Sequence, residues 1–444
     1  LNSFEWGTTH TFPSRAQVAV NSSILKDGIG KVQVLYPNHC LLDLNTLNEA
    51  LSRQLRATSN VDLKPYFTEH EIDSVPGLPN HGGFPTVIDE QLLSYDTLLL
   101  NSGSIGEALQ IDQLDFQSIT KNATRLNFSV PLNTLSEPIE KDYCQEKDEE
   151  HIKKAVKNFT TLRVKQRLEE TLELPPLPVT AQKIIKLRVD PNADISDLSK
   201  IVEIDPSLSA QVVSWAGSPY YSAPGKIKSI QDAIIRVLGF DMVLNLSLGL
   251  SLGKTMKLPD QSPEMLAHYW QKAVYTAAAI ETLVTSIPRD FRPSFGMSYL
   301  SGLLHNFGFI ILAEVFPPHF EIIKDYIAVN PNVPTSMIER HLLGITREQL
   351  SSCLMGIWQM PEEVQIALRY QHIPEYYGEH HQFSKILFLA NSHMHAYFSG
   401  DGPAIDVPDD VYESLCMDKV GASLRIQTMM ESSDELDLIV KQMS

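Results

Sequence analysis

The sequence predicts a multidomain chain in which an N-terminal α+β domain with a mixed sheet precedes an all-α helical bundle. Three observations predict it. The chain has 444 residues, more than one ordinary core accommodates. Residues 1–130 alternate short β-like runs with Gly and Pro turns. Beyond Val179, helical patterns follow one another with short connections, and the long crossovers of a parallel sheet are absent. Hydrophobic residues at 43% and charged residues at 20% are the balance of a globular protein.

In the first domain, 1–130, the runs Val18-Ala19-Val20, Lys31–Tyr36 and Thr97–Leu100 read as strands. Leu44, Leu47, Leu51 and Leu55 recur at helical spacing between them. Residues 131–165 read as a charged linker and a connecting helix. The stretch 136–151 contains Glu146-Lys147-Asp148-Glu149-Glu150 and reads as exposed. The helix after it places Ile152, Val156, Phe159 and Leu162 on one face, with Lys153, Lys154 and Lys157 off it, and Leu174-Pro175-Pro176-Leu177-Pro178 ends it. Residues 166–400 form the bundle. Asp194 is expected to cap Ile195–Val202, Ser229 with Asp232 to form a capping box, Gly239 to close a helix and Asp241 to restart one. Residues 401–444 read as a helical extension. The apolar stretches Met242–Gly253 and Tyr299–Phe316 read as buried core helices: the first is too short to span a bilayer, and the second carries His305, Asn306 and Glu314.

Charge and cysteines narrow the function. A formal charge of −18 opposes bulk attraction to nucleic acid or an anionic membrane. Cys40, Cys144, Cys353 and Cys416 form no CxxC pair, so neither a disulfide framework nor a thiolate zinc site is expected, and a reducing cytoplasm fits. No basic n-region followed by an apolar h-region opens the sequence, so no signal peptide is expected.

Many separated motifs in the helical region agree in order and spacing with one family. They are Leu174-Pro-Pro-Leu-Pro, Asp190-Pro191, Ile204-Asp205-Pro206-Ser207-Leu208-Ser209, Ser229-Ile230-Gln231-Asp232-Ala233-Ile234, Gly302-Leu303-Leu304-His305-Asn306-Phe307-Gly308 and Trp358-Gln359-Met360-Pro361. Over roughly 172–400 the chain resembles the HDOD domain, a relative of the HD metal phosphohydrolases. Those enzymes hold divalent ions with a His, a His-Asp pair and a later Asp. The resemblance places the first His at Lys272, the pair at His305-Asn306 and the late Asp at Asn391; auxiliary histidines fall at Arg347 and Gln371, and His372 remains. A lysine repels a dication and Asn is a weak neutral donor, so a vestigial site without metal is expected. His341 is offset from the family position, and the bland account of His305 is a hydrogen-bonded core histidine. Gly217 stands where relatives carry Asn, and Trp215, Tyr220 and Tyr221 read as core or groove lining rather than a base-stacking platform.

Lys31–Tyr36, Leu41-Leu42-Asp43-Leu44, Gly77-Leu78-Pro79, Gly82-Gly83-Phe84-Pro85, Val87-Ile88-Asp89 and Leu99-Leu100-Asn101-Ser102-Gly103 recur in the order of a YbaK-type aminoacyl-tRNA editing domain, which residues 10–120 resemble. The resemblance implies a cleft containing Asn21, Gly82, Gly83, Pro85, Asp89 and Gly103, with Asn21 at the position of the family's lysine and facing the Gly82-Gly83 turn. Asn supplies no ammonium, and Lys26 and Lys64 are the alternative lysines. The plain reading of Gly82-Gly83 is a tight turn at positive φ. Eight Lys and Arg against fourteen Asp and Glu in residues 1–130 disfavour tRNA.

Together these readings expect a cytoplasmic, non-catalytic signalling or output protein with no cofactor. It acts through a protein partner or a small-molecule ligand, without a membrane, as a monomer or a homo-oligomer. The first alternative is a hydrolase, an aminoacyl-tRNA deacylase in the first domain or a metal phosphohydrolase in the second; the second alternative is a purely structural scaffold that brings partners together.

Overall fold

The computed structural model describes residues 17–443 except 71, 105–106, 137–142, 160–176, 189, 222–224, 254–262 and 399–406. The chain divides into two compact units, residues 1–137 with 318–342, and residues 138–317 with 343–444.

The first unit is built on strands β1 (Gln17–Lys26), β2 (Lys31–Pro37), β3 (Cys40–Leu42), β4 (Arg56–Ala57), β5 (Thr86–Asp89), β6 (Thr97–Asn101), β7 (Ala108–Asp112), β8 (Thr124–Leu126) and β9 (Ser129–Pro131), with helices α1 (Leu44–Leu51), α2 (Asn60–His70) and α3 (Gln113–Ile119). The main sheet runs β7-β6-β1-β2-β5-β8, and β4 also pairs β1. The β1·β2 and β6·β7 pairs are antiparallel while β1·β6, β2·β5 and β5·β8 are parallel, so the sheet is mixed. Side chains alternate along a strand. Val18 and Val20 of β1 therefore join Leu35, Ile88, Leu98, Leu100 and Phe116 in one core. Leu25, Val32, Val34 and Tyr36 join a second core on the opposite face.

The second unit begins with α4 (Gln145–Phe159), then α5 (Val179–Arg188), α6 (Ile195–Glu203), α7 (Pro206–Ala216), α8 (Ile230–Ala233), α9 (Phe240–Gly253), α10 (Pro263–Ser286), α11 (Phe295–Leu304) and α12 (Phe307–Val315). After α13 (Pro317–Val329) and α14 (Thr335–Leu343), it closes with α15 (Arg347–Ile357), α16 (Glu362–Tyr370), α17 (His381–Phe398), α18 (Asp409–Ser414), α19 (Lys419–Met430) and α20 (Ser433–Met443). Local signals set several helix starts. Asp194, expected only as a cap, forms a reciprocal box with Asp197 that opens α6. At α8 the expected box is not closed, since Ser229 accepts from the Asp232 N–H but the Asp232 carboxylate accepts from Lys228 N at 3.1 Å instead. Gly239 sits at φ +78 before α9. All four cysteines are free. Residues Phe295–Ala313 are long and apolar enough to cross a membrane by composition, and 78% of that stretch is buried.

The structure corrects two boundaries. Residues 318–342 do not belong with the bundle: Tyr326, Val329 and Ile338 of α13 and α14 bury against the second face of the N-terminal sheet. Asn330 holds them there, its Oδ1 accepting from Leu42 N at 2.8 Å and its Nδ2 donating to Leu42 O at 3.1 Å. Asp43, the N-cap of α1, accepts from the Tyr326 hydroxyl at 2.5 Å and pairs with His341 Nε2 at 3.4 Å. The second correction concerns the charged stretch. Its second half is not an exposed linker: α4 starts at Gln145, and Asp148 is 5% exposed. The expected helix end at Leu174–Pro178 falls largely outside the described residues.

Candidate functional site

In the helical unit the sequence-predicted residues gather around the turn between α11 and α12. The start of α12 packs closely against α15. A Cβ on Gly308 would lie 2.2 Å from the Arg347 carbonyl oxygen, so only glycine lets α12 approach the start of α15 this closely. His305 Nδ1 donates to the Gly302 carbonyl at 2.8 Å, which requires the proton on Nδ1 and leaves the lone pair on Nε2. Gln371 Nε2 donates to the His305 carbonyl at 3.0 Å, and Gln371 Oε1 accepts from Asn391 Nδ2 at 3.0 Å. His305, Gln371 and Asn391 are thus one hydrogen-bonded chain. Asn306 follows His305 in the turn, at the N-cap position of α12, without a side-chain cap bond.

The charges around this chain are mostly positive. Burial pushes His305 down to about 4, and Lys272 and His372 oppose its protonation further. Burial also lowers Lys272, and Arg347 adds like-charge repulsion. Arg347 lies 5.3 Å from the Phe309 ring centroid. His372 Nε2 is 3.7 Å from Glu348 Oε1. Among the described residues no three His, Cys, Asp or Glu side chains gather as a metal-holding group. A divalent ion needs anionic or imidazole donors in place of its water. Lys272, Arg347, Gln371 and Asn391 do not fit one.

Next to this cluster lies an arrangement that sequence reading missed. Asp148 of α4 accepts from Arg369 Nε at 2.6 Å and from Gln349 Nε2 at 2.7 Å, with Arg369 Nη2 at 3.3 Å. Arg369 and Asp148 side chains are 8% and 7% exposed. The Tyr143 hydroxyl bonds the Ser352 hydroxyl at 2.9 Å and donates to Gln365 Oε1. Arg369 stands two residues before Gln371, and Gln349 two after Arg347. A signal for Asp148 was present: Ile152, one turn on, is also buried, and their spacing of four puts both on one helix face.

In the first unit the structure separates the residues expected to line one cleft. Asn21 does not face Gly82-Gly83. It pairs with Tyr36 in the β1·β2 register, and burial raises the Tyr36 hydroxyl to about 12. Ser22, one residue on, projects from the other face and donates to the Pro76 carbonyl at 2.8 Å. The parity of the strand decides this. Asp89 is also elsewhere, fully buried and accepting from the N–H groups of Gln91, Phe128 and Ser129. The Pro85 carbonyl accepts from Gln33 N at 2.9 Å, and the Gly103 carbonyl accepts from Asp73 N and Ser74 N.

Gly82 and Gly83 do line a cavity of about 450 Å³, together with Lys31, Asp62, Tyr66 and His70. Lys31 Nζ donates to the Asp62 carbonyl at 3.2 Å and lies 5.7 Å from the Phe84 ring centroid. Lys26 forms an ion pair with the Asp62 carboxylate. Lys64 is not among the lining residues. The Tyr66 hydroxyl and His81 Nδ1 hydrogen-bond at 2.6 Å, and the His70 and His81 rings are 4.9 Å apart. Burial, then His70, lowers His81. Gly82, at φ +73, admits Tyr66: a Cβ there would meet Tyr66 Cε2 at 2.4 Å.

Known proteins agree with both halves. A family model for the HDOD domain matches residues 174–374, and one for the aminoacyl-tRNA editing domain matches residues 12–119. The chain is similar to a protein of Marinobacter aquaeolei VT8 described as a "Putative signal transduction protein". Its crystal structure gives a TM-score of 0.85 at 39% identity, over 96% of this chain and 93% of that one. A protein of Shewanella amazonensis SB2B described as a "Putative phosphohydrolase" shares the fold at 18% identity, with a TM-score of 0.51 over 62% of this chain and 97% of that one. An uncharacterized protein of Treponema pallidum (strain Nichols) is 20% identical over 237 residues, 53% of this chain, and the chain spans 45% of that relative's length.

Proposed function

The chain belongs to the family of HDOD-domain proteins that carry an aminoacyl-tRNA editing-type domain in front, and from that membership we propose a non-catalytic signal-transduction role exerted through a bound ligand or partner protein. One observation carries the reading. At the positions that the HD resemblance assigns to metal ligands and auxiliary histidines, the Gln371 amide bridges the His305 carbonyl and Asn391, with Lys272 and Arg347 beside them. Both formal negative charges of an HD site are replaced and a cation is added, which removes the largest attraction available to a dication. The members of this polar chain bond one another and the neighbouring Gly302 and Leu368 carbonyls. That supports a site that changes state when neighbouring helices move, rather than one that activates water.

Elemental analysis of the full chain, purified without chelator, with a phosphodiesterase assay in added Mn²⁺, tests this. The expected result is substoichiometric metal and no turnover. Stoichiometric metal that disappears in His305→Ala would overturn the proposal.

A second reading is supported by a specific observation. Lys31, rather than Asn21, lines the cavity beside Tyr66 and His70. Hydrolysis of an aminoacyl ester there would be seen as deacylation of charged tRNA that is lost in Lys31→Ala. The acidic balance of residues 1–130 favours a small ligand or a protein partner in that unit instead.

A further inference from the structure

The helical unit encloses an amine that packing does not explain. Lys385, in the second turn of α17, is 0% exposed, and its Nζ has no hydrogen-bond partner. An ammonium buried without a hydrogen-bond acceptor has lost its water without full replacement, and an aliphatic side chain would fill the same space without that cost. The amine lies 3.2 Å from the centroid of the Tyr377 ring. Tyr377 is 53% exposed, and its hydroxyl donates to Asp410 Oδ2 at 2.5 Å. A hydrogen bond at the surface thus ties the ring that covers the amine. Glu375 and Asp410 favour the charged amine through space, yet burial outweighs them and pushes Lys385 down to about 8. His381, four residues earlier, is held below its usual range by burial and in part by Lys385. A lysine withdrawn from water in this way is a nucleophile near neutral pH.

We propose that Lys385 is a carbonyl-capturing site, where a small aldehyde condenses with the buried amine beneath the Tyr377 ring. The amine lone pair attacks the carbonyl carbon and gives a carbinolamine. Loss of one water leaves the imine, and uptake of one proton gives the iminium; no oxidant or reductant is consumed. The charge pattern selects this chemistry. An iminium keeps a positive nitrogen against the π-face of Tyr377 and near Glu375 and Asp410. A carbamate formed from carbon dioxide would instead place an anion beside those same two carboxylates. Because the amine is fully enclosed, the Tyr377 ring has to swing aside, which restricts the site to small aldehydes.

The test treats the full chain with propionaldehyde and cyanoborohydride, whose hydride traps the iminium as a secondary amine, and maps the modified lysines by peptide mass. At about pH 7, where ordinary exposed lysines are almost wholly protonated, Lys385 should be alkylated about tenfold faster than they are once the ring is released. Tyr377→Phe, which removes only the Asp410 bond, and Tyr377→Ala should both speed alkylation at Lys385 and leave the other lysines unchanged. Lys385→Arg should lose this site alone. Alkylation of Lys385 no faster than at exposed lysines in Tyr377→Phe, which keeps the ring over the amine, would overturn the proposal. So would equal rates at Lys385 in the native chain and in Tyr377→Phe.

Discussion

Asp148→Ala removes the acceptor that ties α4 to α15 and α16. In the native unit its carboxylate takes hydrogen bonds from Arg369 at 2.6 and 3.3 Å and from Gln349 at 2.7 Å, and both charged side chains are under one-tenth exposed. The substitution leaves the Arg369 guanidinium buried against the Tyr370 ring without that counter-charge. Breaking a buried pair by removing one partner costs about 3–5 kcal/mol. For a unit of this size each kcal/mol lowers the melting temperature by roughly 2–4 °C, so a fall of roughly 6–20 °C is expected in scanning calorimetry. Hydrogen exchange across residues 145–159 should accelerate in parallel, since α4 would lose its anchor. Replacing both partners, Asp148→Leu with Arg369→Met, should recover most of the loss, because neither charge of the pair then stays buried. A loss below about 0.5 kcal/mol for Asp148→Ala, the value of an exposed pair, would refute the buried clasp.

Three further outcomes follow from single contacts. Asn330→Ala strands the N–H and C=O of Leu42 and should cost about 2–4 kcal/mol in the first unit, read from the denaturant midpoint; Asn330→Asp, which keeps only the acceptor, should recover at most part of it. Gly82→Ala, at φ +73 and 2.4 Å from Tyr66, should displace Tyr66 from His81, whereas Gly83→Ala, at φ +75 with nothing within 4 Å, should cost only about 1–2 kcal/mol of backbone strain; the His81 imidazole resonances distinguish the two. His305 is held at about 4 against an ordinary 6.5, so the unfolded chain binds more protons between those values. The stability this supplies is fully present above pH 6.5 and disappears as pH falls toward 4; thermal scans across that window should show a slope that flattens in His305→Gln.

By itself the sequence determined what rests on local hydrogen bonding and periodicity. The Asp194 and Ser229 caps and the positive φ at Gly239 follow from residues within a turn of one another, and the strands over Lys31–Tyr36 and Thr97–Leu100 follow from short β-like runs set between turn residues. The HDOD and editing-type resemblances were legible from motif order, and several of the residues they single out in the bundle share one hydrogen-bonded chain. Side-chain parity was legible too, and applying it to Asn21 against Ser22 separates the two faces of β1. Only the tertiary structure decided which partners satisfy the buried polar groups. Asp148 and Arg369 are 221 positions apart, and Asn330 lies 288 positions from Leu42. Charge-rich α4 reads as solvated until a distant guanidinium supplies its counter-charge. Likewise α13 and α14 read as more of the bundle until the apolar face of the N-terminal sheet is there to bury them. A local pattern encodes which face of an element is apolar or charged; it does not encode which distant surface will remove that face from water.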